Sequence, residues 1–227
     1  MNPFLFLLVM VFSPLLSSEV SGSPQQHPKG YAAAPVQLDE LLGIRALPGA
    51  FVNDTNPGSP AQQAGLDVCD LIAGFNDQEF RSYGDPTSFL AALREAAMFS
   101  GADLDVWTSS DSGETYHQSR LRVRIPSQPG AKIGADVTFQ VLVAAVTKGG
   151  SADVAGVRPG EFIDQVNGQQ VSEVRSIIDL DRLISASATK DGQVLLTLAQ
   201  WKPVRGSPVY KTRHTTRDVT LKLRTQG

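Results

Sequence analysis

The chain holds a single cysteine, Cys69, among 227 residues. One cysteine excludes an internal disulfide, and its distance from the N terminus excludes a lipid-modified leader cysteine. A lone thiol of this kind is most often a small buried hydrophobe. Histidine is also scarce: His27, His117 and His214 lie far apart. With one cysteine they give no metal-ligand spacing, so no metal and no cofactor is expected. None stands where a neighbouring acid would fix it beside a nucleophile. His27 falls in a linker, and His117 and His214 fall in expected hairpin turns. Gly149-Gly150-Ser151 has the look of a nucleophile turn, but a duplication accounts for it better. The chain is therefore read as not being an enzyme.

Apolar runs are short. Phe4–Phe12, continued by Leu15-Leu16, falls below the roughly 20 residues that cross a bilayer. Small residues follow, with Val20-Ser21-Gly22 or Leu16-Ser17-Ser18 fitting the cleavage rule. Residues 1–22 are thus expected to be an export signal, although no Lys or Arg precedes the run; an uncleaved anchor is the alternative. Residues 23–35, rich in Gln, Pro, Gly and Ala, read as a linker. The expected location is periplasmic or secreted, with no membrane contact once the signal is removed.

Hydrophobic residues make up 41% and charged residues 19%, a globular balance. The net charge of −3 is unevenly spread. Residues 31–130 hold 6 cationic against 13 anionic side chains, and residues 131–227 hold 13 against 9. Halves of opposite sign attract each other or select different ligands. Lys202, Arg205, Lys211, Arg213 and Arg217 cluster near the C terminus without an acid among them. Such a run is usually a solvated face, and no nucleic-acid partner is expected.

What the chain does have is one stretch used twice. Gly58-Ser59-Pro60-Ala61 leads to Ala64-Gly65-Leu66, then Cys69-Asp70-Leu71-Ile72 and Asn76; Gly150-Ser151-Ala152 leads to Ala155-Gly156-Val157, then Gly160-Glu161-Phe162-Ile163 and Asn167-Gly168. Gly65 and Gly156 are 91 positions apart, as are Asn76 and Asn167. That period is too long for a solenoid unit and suits two copies of a small domain. Trp107 and Tyr116 share their spacing with Trp201 and Tyr210, which supports duplication independently. In each copy a Ser or Pro-Ala opens a short helical turn, a glycine ends it, an apolar strand follows, and an Asn turn reverses the chain.

These motifs resemble the PDZ family in its bacterial form, as found in exported serine proteases, here without room for a protease domain. The second copy lacks the Pro60 equivalent, and Cys69 stands where the family usually has Gly. The resemblance implies an α+β, mainly β fold: two small, partly open β-barrels, each capped by two helices. The expected domains are 36–126 and 131–225, joined by a linker at 127–130. Leu41-Leu42-Gly43-Ile44 resembles the family's carboxylate-binding loop, with Arg45 after it; Lys132-Ile133-Gly134-Ala135 is the second such loop. Ile44 to Leu47 is the expected groove strand and Phe51-Val52 the next. Asp85-Pro86 opens a helix over 85–98 whose Phe89, Leu90 and Leu93 recur at helical spacing. Periodicity does not choose between Phe89 and Leu90 as the pocket residue. In the second copy, Ser172-Glu173 opens a helix with Val174, Ile177 and Ile178 as the matching wall.

The implied function is an exported adaptor that captures protein C-termini or extended peptides by strand addition. Asp136 beside the second loop disfavours an anionic ligand, so the first groove is the better candidate. The alternative is a regulatory or scaffold subunit with vestigial grooves, whose domains bind each other or a protease.

Overall fold

A computed structural model describes residues 38–83, 85–110, 115–126, 131–174, 177–186, 188, 191–204 and 211–223. The expected signal, both linkers and Tyr210 lie outside the described residues. Local chemistry sets the helix starts. Ser59 caps α2 (Pro60–Gln63), its hydroxyl accepting the Gln62 N–H at 3.3 Å. Asp85 caps α3 (Pro86–Phe99), accepting the Ser88 N–H at 2.9 Å. Each has Pro at its first helical position, where no backbone donor is lost. The remaining helices are α1 (Leu38–Leu42), α4 (Ser151–Val154) and α5 (Ile177–Ala186).

The strands form one antiparallel system. They are β1 (Ile44–Thr55), β2 (Leu71–Phe75), β3 (Gln78–Glu79), β4 (Ala102–Ser109) and β5 (Tyr116–Val123) in the first copy. The second copy has β6 (Ala135–Val146), β7 (Phe162–Val166), β8 (Gln169–Gln170), β9 (Gln193–Val204) and β10 (Lys211–Lys222). Their order is β10-β9-β7-β6-β1-β2-β4-β5, with β3 on β2 and β8 on β7. The β2–β3 turn at Asn76-Asp77 has φ of 48° and 60°, and the β7–β8 turn at Asn167-Gly168 has 48° and 83°. Positive φ at both central residues matches the twist of the strands they join.

Several residues 91 positions apart make matching hydrogen bonds. Asn76 Oδ1 accepts the Asp103 N–H, and Asn167 Oδ1 accepts the Leu195 N–H, at 2.9 and 2.7 Å. Asp70 Oδ2 accepts the Asp67 N–H at 3.0 Å, and Glu161 Oε2 accepts the Arg158 N–H at 2.7 Å. The second copy lacks the Ser59 cap at Gly150. Asp153 instead accepts the Gly149 N–H at 2.8 Å, as Gln62 accepts the Gly58 N–H at 2.7 Å.

Several sequence expectations change here. The break expected between Leu47 and Phe51 is absent: β1 continues for 12 residues, with irregularities in its pairing to β6 at Arg45/Ala46 and Val52/Asp54. Gly49 serves close approach rather than a turn, since a Cβ there would lie 2.6 Å from the Ile72 carbonyl oxygen. β6 likewise runs unbroken from Ala135 to Val146. Val174 is extended and precedes α5 instead of riding on it. His117 lies within β5 and His214 within β10, because both hairpins carry longer strands than the pattern suggested.

β1 and β6 pair along their whole length, from Ile44 opposite Val146 to Thr55 opposite Ala135. Strand alternation then sends odd and even residues to opposite faces. Ala50, Val52, Val141 and Val143 face one buried cluster that runs through both copies. Phe51, Leu71, Leu142 and Phe162 face a second, smaller one, capped by Trp107, Tyr116 and Trp201. Phe51 stands edge-on to Phe162 with ring centres 5.2 Å apart, and Trp201 lies 5.2 Å from Phe51. The described residues between 38 and 223 accordingly form one compact unit.

Cys69 belongs to this smaller cluster and is fully buried. It holds the left-handed conformation (φ 72°) that Gly160 holds in the second copy. Burial, with Asp70 and Asp67 close by, pushes its thiol up to about 12. The thiolate is the reactive form. Cys69 is therefore expected to stay unmodified by Ellman's reagent in the native chain at pH 8 and to react fully in denaturant. Rapid titration of the native thiol would contradict its burial.

Candidate functional site

Each loop begins with a left-handed glycine, Gly43 at φ 72° and Gly134 at φ 80°. In the first, the helical α1 leads directly into it, and a right-handed to left-handed step turns successive N–H groups toward one concavity. The loops stand at opposite ends of the β1–β6 pair. Twelve residues at about 3.3 Å each separate them by roughly 36 Å.

The loops do not sit against their own repeats. The Gly43 carbonyl accepts the Thr147 N–H at 2.8 Å, and a Cβ on Gly43 would lie 3.3 Å from the Thr147 Cβ. The Gly134 carbonyl accepts the Asn56 N–H at 2.8 Å and the Ser59 hydroxyl at 3.2 Å. The Ile133 carbonyl accepts the Ala61 N–H at 3.0 Å. A Cβ on Gly134 would lie 2.3 Å from the Ser59 Cβ, so no other residue fits without displacing α2. Arg94 of α3 donates from Nε to the Ala131 carbonyl at 3.1 Å. The expected pairing of Gly43 and Ile44 with the helix over 85–98 is thus replaced by a pairing of that helix with the second loop. The cause is that β1 and β6 each continue unbroken for 12 residues.

The individual side chains divide sharply. Leu42 and Ile44 are fully buried, Leu41 is half-buried and Arg45 is exposed. Phe89 and Leu93 are fully buried in the core, leaving Leu90, half-buried, at the edge of α3. Phe89 packs on Phe75, Phe80 and Tyr83. Lys132 is exposed, and Ile133, Gly134 and Ala135 are half-buried. Val174 is buried; Ile178 is 42% exposed on α5, and the side chain of Ile177 lies outside the description.

Two strand margins stand beside these loops. Among the described residues, β1 pairs with β2 at Ala50 and Phe51, and no strand pairs with that margin over 44–48. β6 meets β7 at Leu142, and no strand pairs with its corresponding margin over 135–140. Sequence reading missed Arg94 and the Asn56–Ser59 turn as neighbours of the second loop. For the turn the signal is position, Asn56 and Ser59 lying 91 residues before Thr147 and Gly150, but nothing in that spacing says which loop they meet, and Arg94 has no such signal.

Residues 142–200 match the family model described as the PDZ domain. Over 191 residues it is 33% identical to a probable periplasmic serine endoprotease, DegP-like, of Chlamydia trachomatis, covering 74% of this chain and 36% of that protein. The DegP-like counterpart of Rhizobium meliloti is 28% identical over 72% of this chain and 36% of its own length. The periplasmic pH-dependent serine endoprotease DegQ of Escherichia coli is 25% identical over 61% of this chain and 32% of its own. The chain spans about a third of the length of these relatives. Among the described residues, no helix is long and apolar enough to cross a membrane.

Proposed function

We propose that this is an exported, non-catalytic adaptor that captures extended protein segments, C-termini included, by adding them as a strand to the sheet. The observation that carries the reading is the pair of unpaired margins on β1 and β6, each beginning at a left-handed glycine loop. A strand margin offers a row of main-chain donors and acceptors, which supplies affinity; side-chain pockets beside it supply selectivity. The PDZ match and the periplasmic relatives support both the binding mode and the location. Two such sites on one chain gain from effective concentration when a single partner reaches both.

A second reading is a scaffold or regulatory subunit with vestigial grooves, bound to a protease or held by its own repeats. The packing of each loop on the opposite repeat favours it. A peptide array with free and amidated C-termini separates the two. Capture predicts spots in the micromolar range, about −8 kcal/mol, weakened at least tenfold by amidation where a terminus is held. Equal signal from both forms indicates internal segments. No retained peptide at all leaves the scaffold reading.

A further inference from the structure

We infer that the two strand-addition sites are composite, each assembled from both repeats by a reciprocal exchange of the segment that holds the loop. The inference rests on the capture reading for its ligand, an extended peptide. One site joins α3 of the first repeat to residues 131–140 of the second. The other joins α5 of the second repeat to residues 38–49 of the first.

The contacts that close the first site cross the repeat boundary. Arg94 holds the Ala131 carbonyl, and the Asn56–Ala61 turn holds the carbonyls of Ile133 and Gly134. Phe80, which follows β3, stacks on Phe139 of β6 at 5.7 Å. A segment folded back onto its own repeat would instead bring Pro48, the residue 91 positions earlier, to Phe80. For the second site the exchange shows at the far end of β6, where Thr147 holds the Gly43 carbonyl and Ile44 pairs with Val146. Both exchanges follow from one cause. A strand that passes Gly49 or Gln140 without turning delivers its first half to the neighbouring repeat.

Composition across repeats changes which site suits an acidic terminus. Arg94 and Lys132 are both exposed and flank the second loop together, although they come from different repeats. Asp136 also stands at this loop, taking a 3.5 Å hydrogen bond from Asn53 Nδ2, but the two cations outnumber it. The α3 site is therefore the one that takes a free carboxylate.

The full chain tests this with an array of random octapeptides bearing free C-termini, probed by the intact protein and by Leu90→Arg, Lys132→Glu, Arg45→Glu and Ile178→Arg, each checked for native circular dichroism. Leu90→Arg and Lys132→Glu are expected to weaken the same peptides at least tenfold, and Arg45→Glu and Ile178→Arg a different shared set. Losses that group Leu90→Arg with Arg45→Glu overturn the exchange. If the intact protein retains no peptide, the capture reading fails, and the exchange is decided by nuclear Overhauser contacts in the free chain. Ring contacts from Phe80 to Phe139 support it, and contacts from Phe80 to Pro48 in their place refute it.

Discussion

Phe51→Ala is expected to destabilise the whole of residues 38–223 in one step, by about 3–5 kcal/mol. Phe51 is 1% exposed and fills the smaller core between Phe162 and Trp201. Truncation leaves a cavity whose walls belong to both copies, so the loss cannot be confined to the first. Phe162→Ala, with Tyr116 as a further edge-on neighbour at 5.4 Å, should cost a similar amount. The aromatic pair itself contributes about 1 kcal/mol beyond area burial, so the double variant should fall short of additivity by that amount. Urea unfolding followed by tryptophan fluorescence and circular dichroism is the measurement. Two separate transitions, with the second repeat unaffected by Phe51→Ala, would contradict a shared core.

Stability should also fall as pH rises from about 4 to above 7, through one buried carboxyl. Asp70 is 1% exposed. Burial pushes it up to about 7; the Asp67 carboxylate adds to the rise, while the Asp67 N–H and the Thr108 hydroxyl pull it down. The folded state therefore binds a proton more tightly than the unfolded chain. Stability is fully present below the ordinary aspartate value of 3.8 and is lost as pH climbs through about 7. A shift of this size corresponds to something on the order of 4 kcal/mol. The equivalent Glu161 is handled differently, because Arg217 grips it at 2.7 and 2.8 Å. Asp70→Asn keeps an acceptor for the Asp67 N–H and removes the charge. It should be more stable than the parent at pH 8, equal to it near pH 4, and flat between them in this contribution. Urea midpoints at pH 4, 6 and 8 test the difference; parallel slopes for parent and variant would refute the assignment.

Much of this architecture is written in local residue chemistry. Ser59-Pro60, Asp85-Pro86, Asn76-Asp77 and Asn167-Gly168 each state a cap or a turn whose requirements involve only a few neighbours. The repeat itself is legible because glycines at left-handed positions recur at fixed spacing. What could not be read is the partner of each strand. Ala50-Phe51-Val52 is an apolar run buried on both faces, and nothing in it says that Ala50 has Ile72 on one side and Phe139 on the other. Pro48-Gly49 carries the composition of a turn, and only the approach of the Ile72 carbonyl shows why glycine stands there in an extended strand. Cys69 was a similar trap: its left-handed backbone is kept without the glycine that normally provides it.

The pairing of Ile44 with Val146 also sets a timetable for synthesis. Contacts between residues this far apart in sequence close slowly, and none of them exists until the later partner has been made. A growing chain ending anywhere before β6 has an N-terminal half with a bare strand and an unfilled core, so it stays unfolded as it leaves the ribosome.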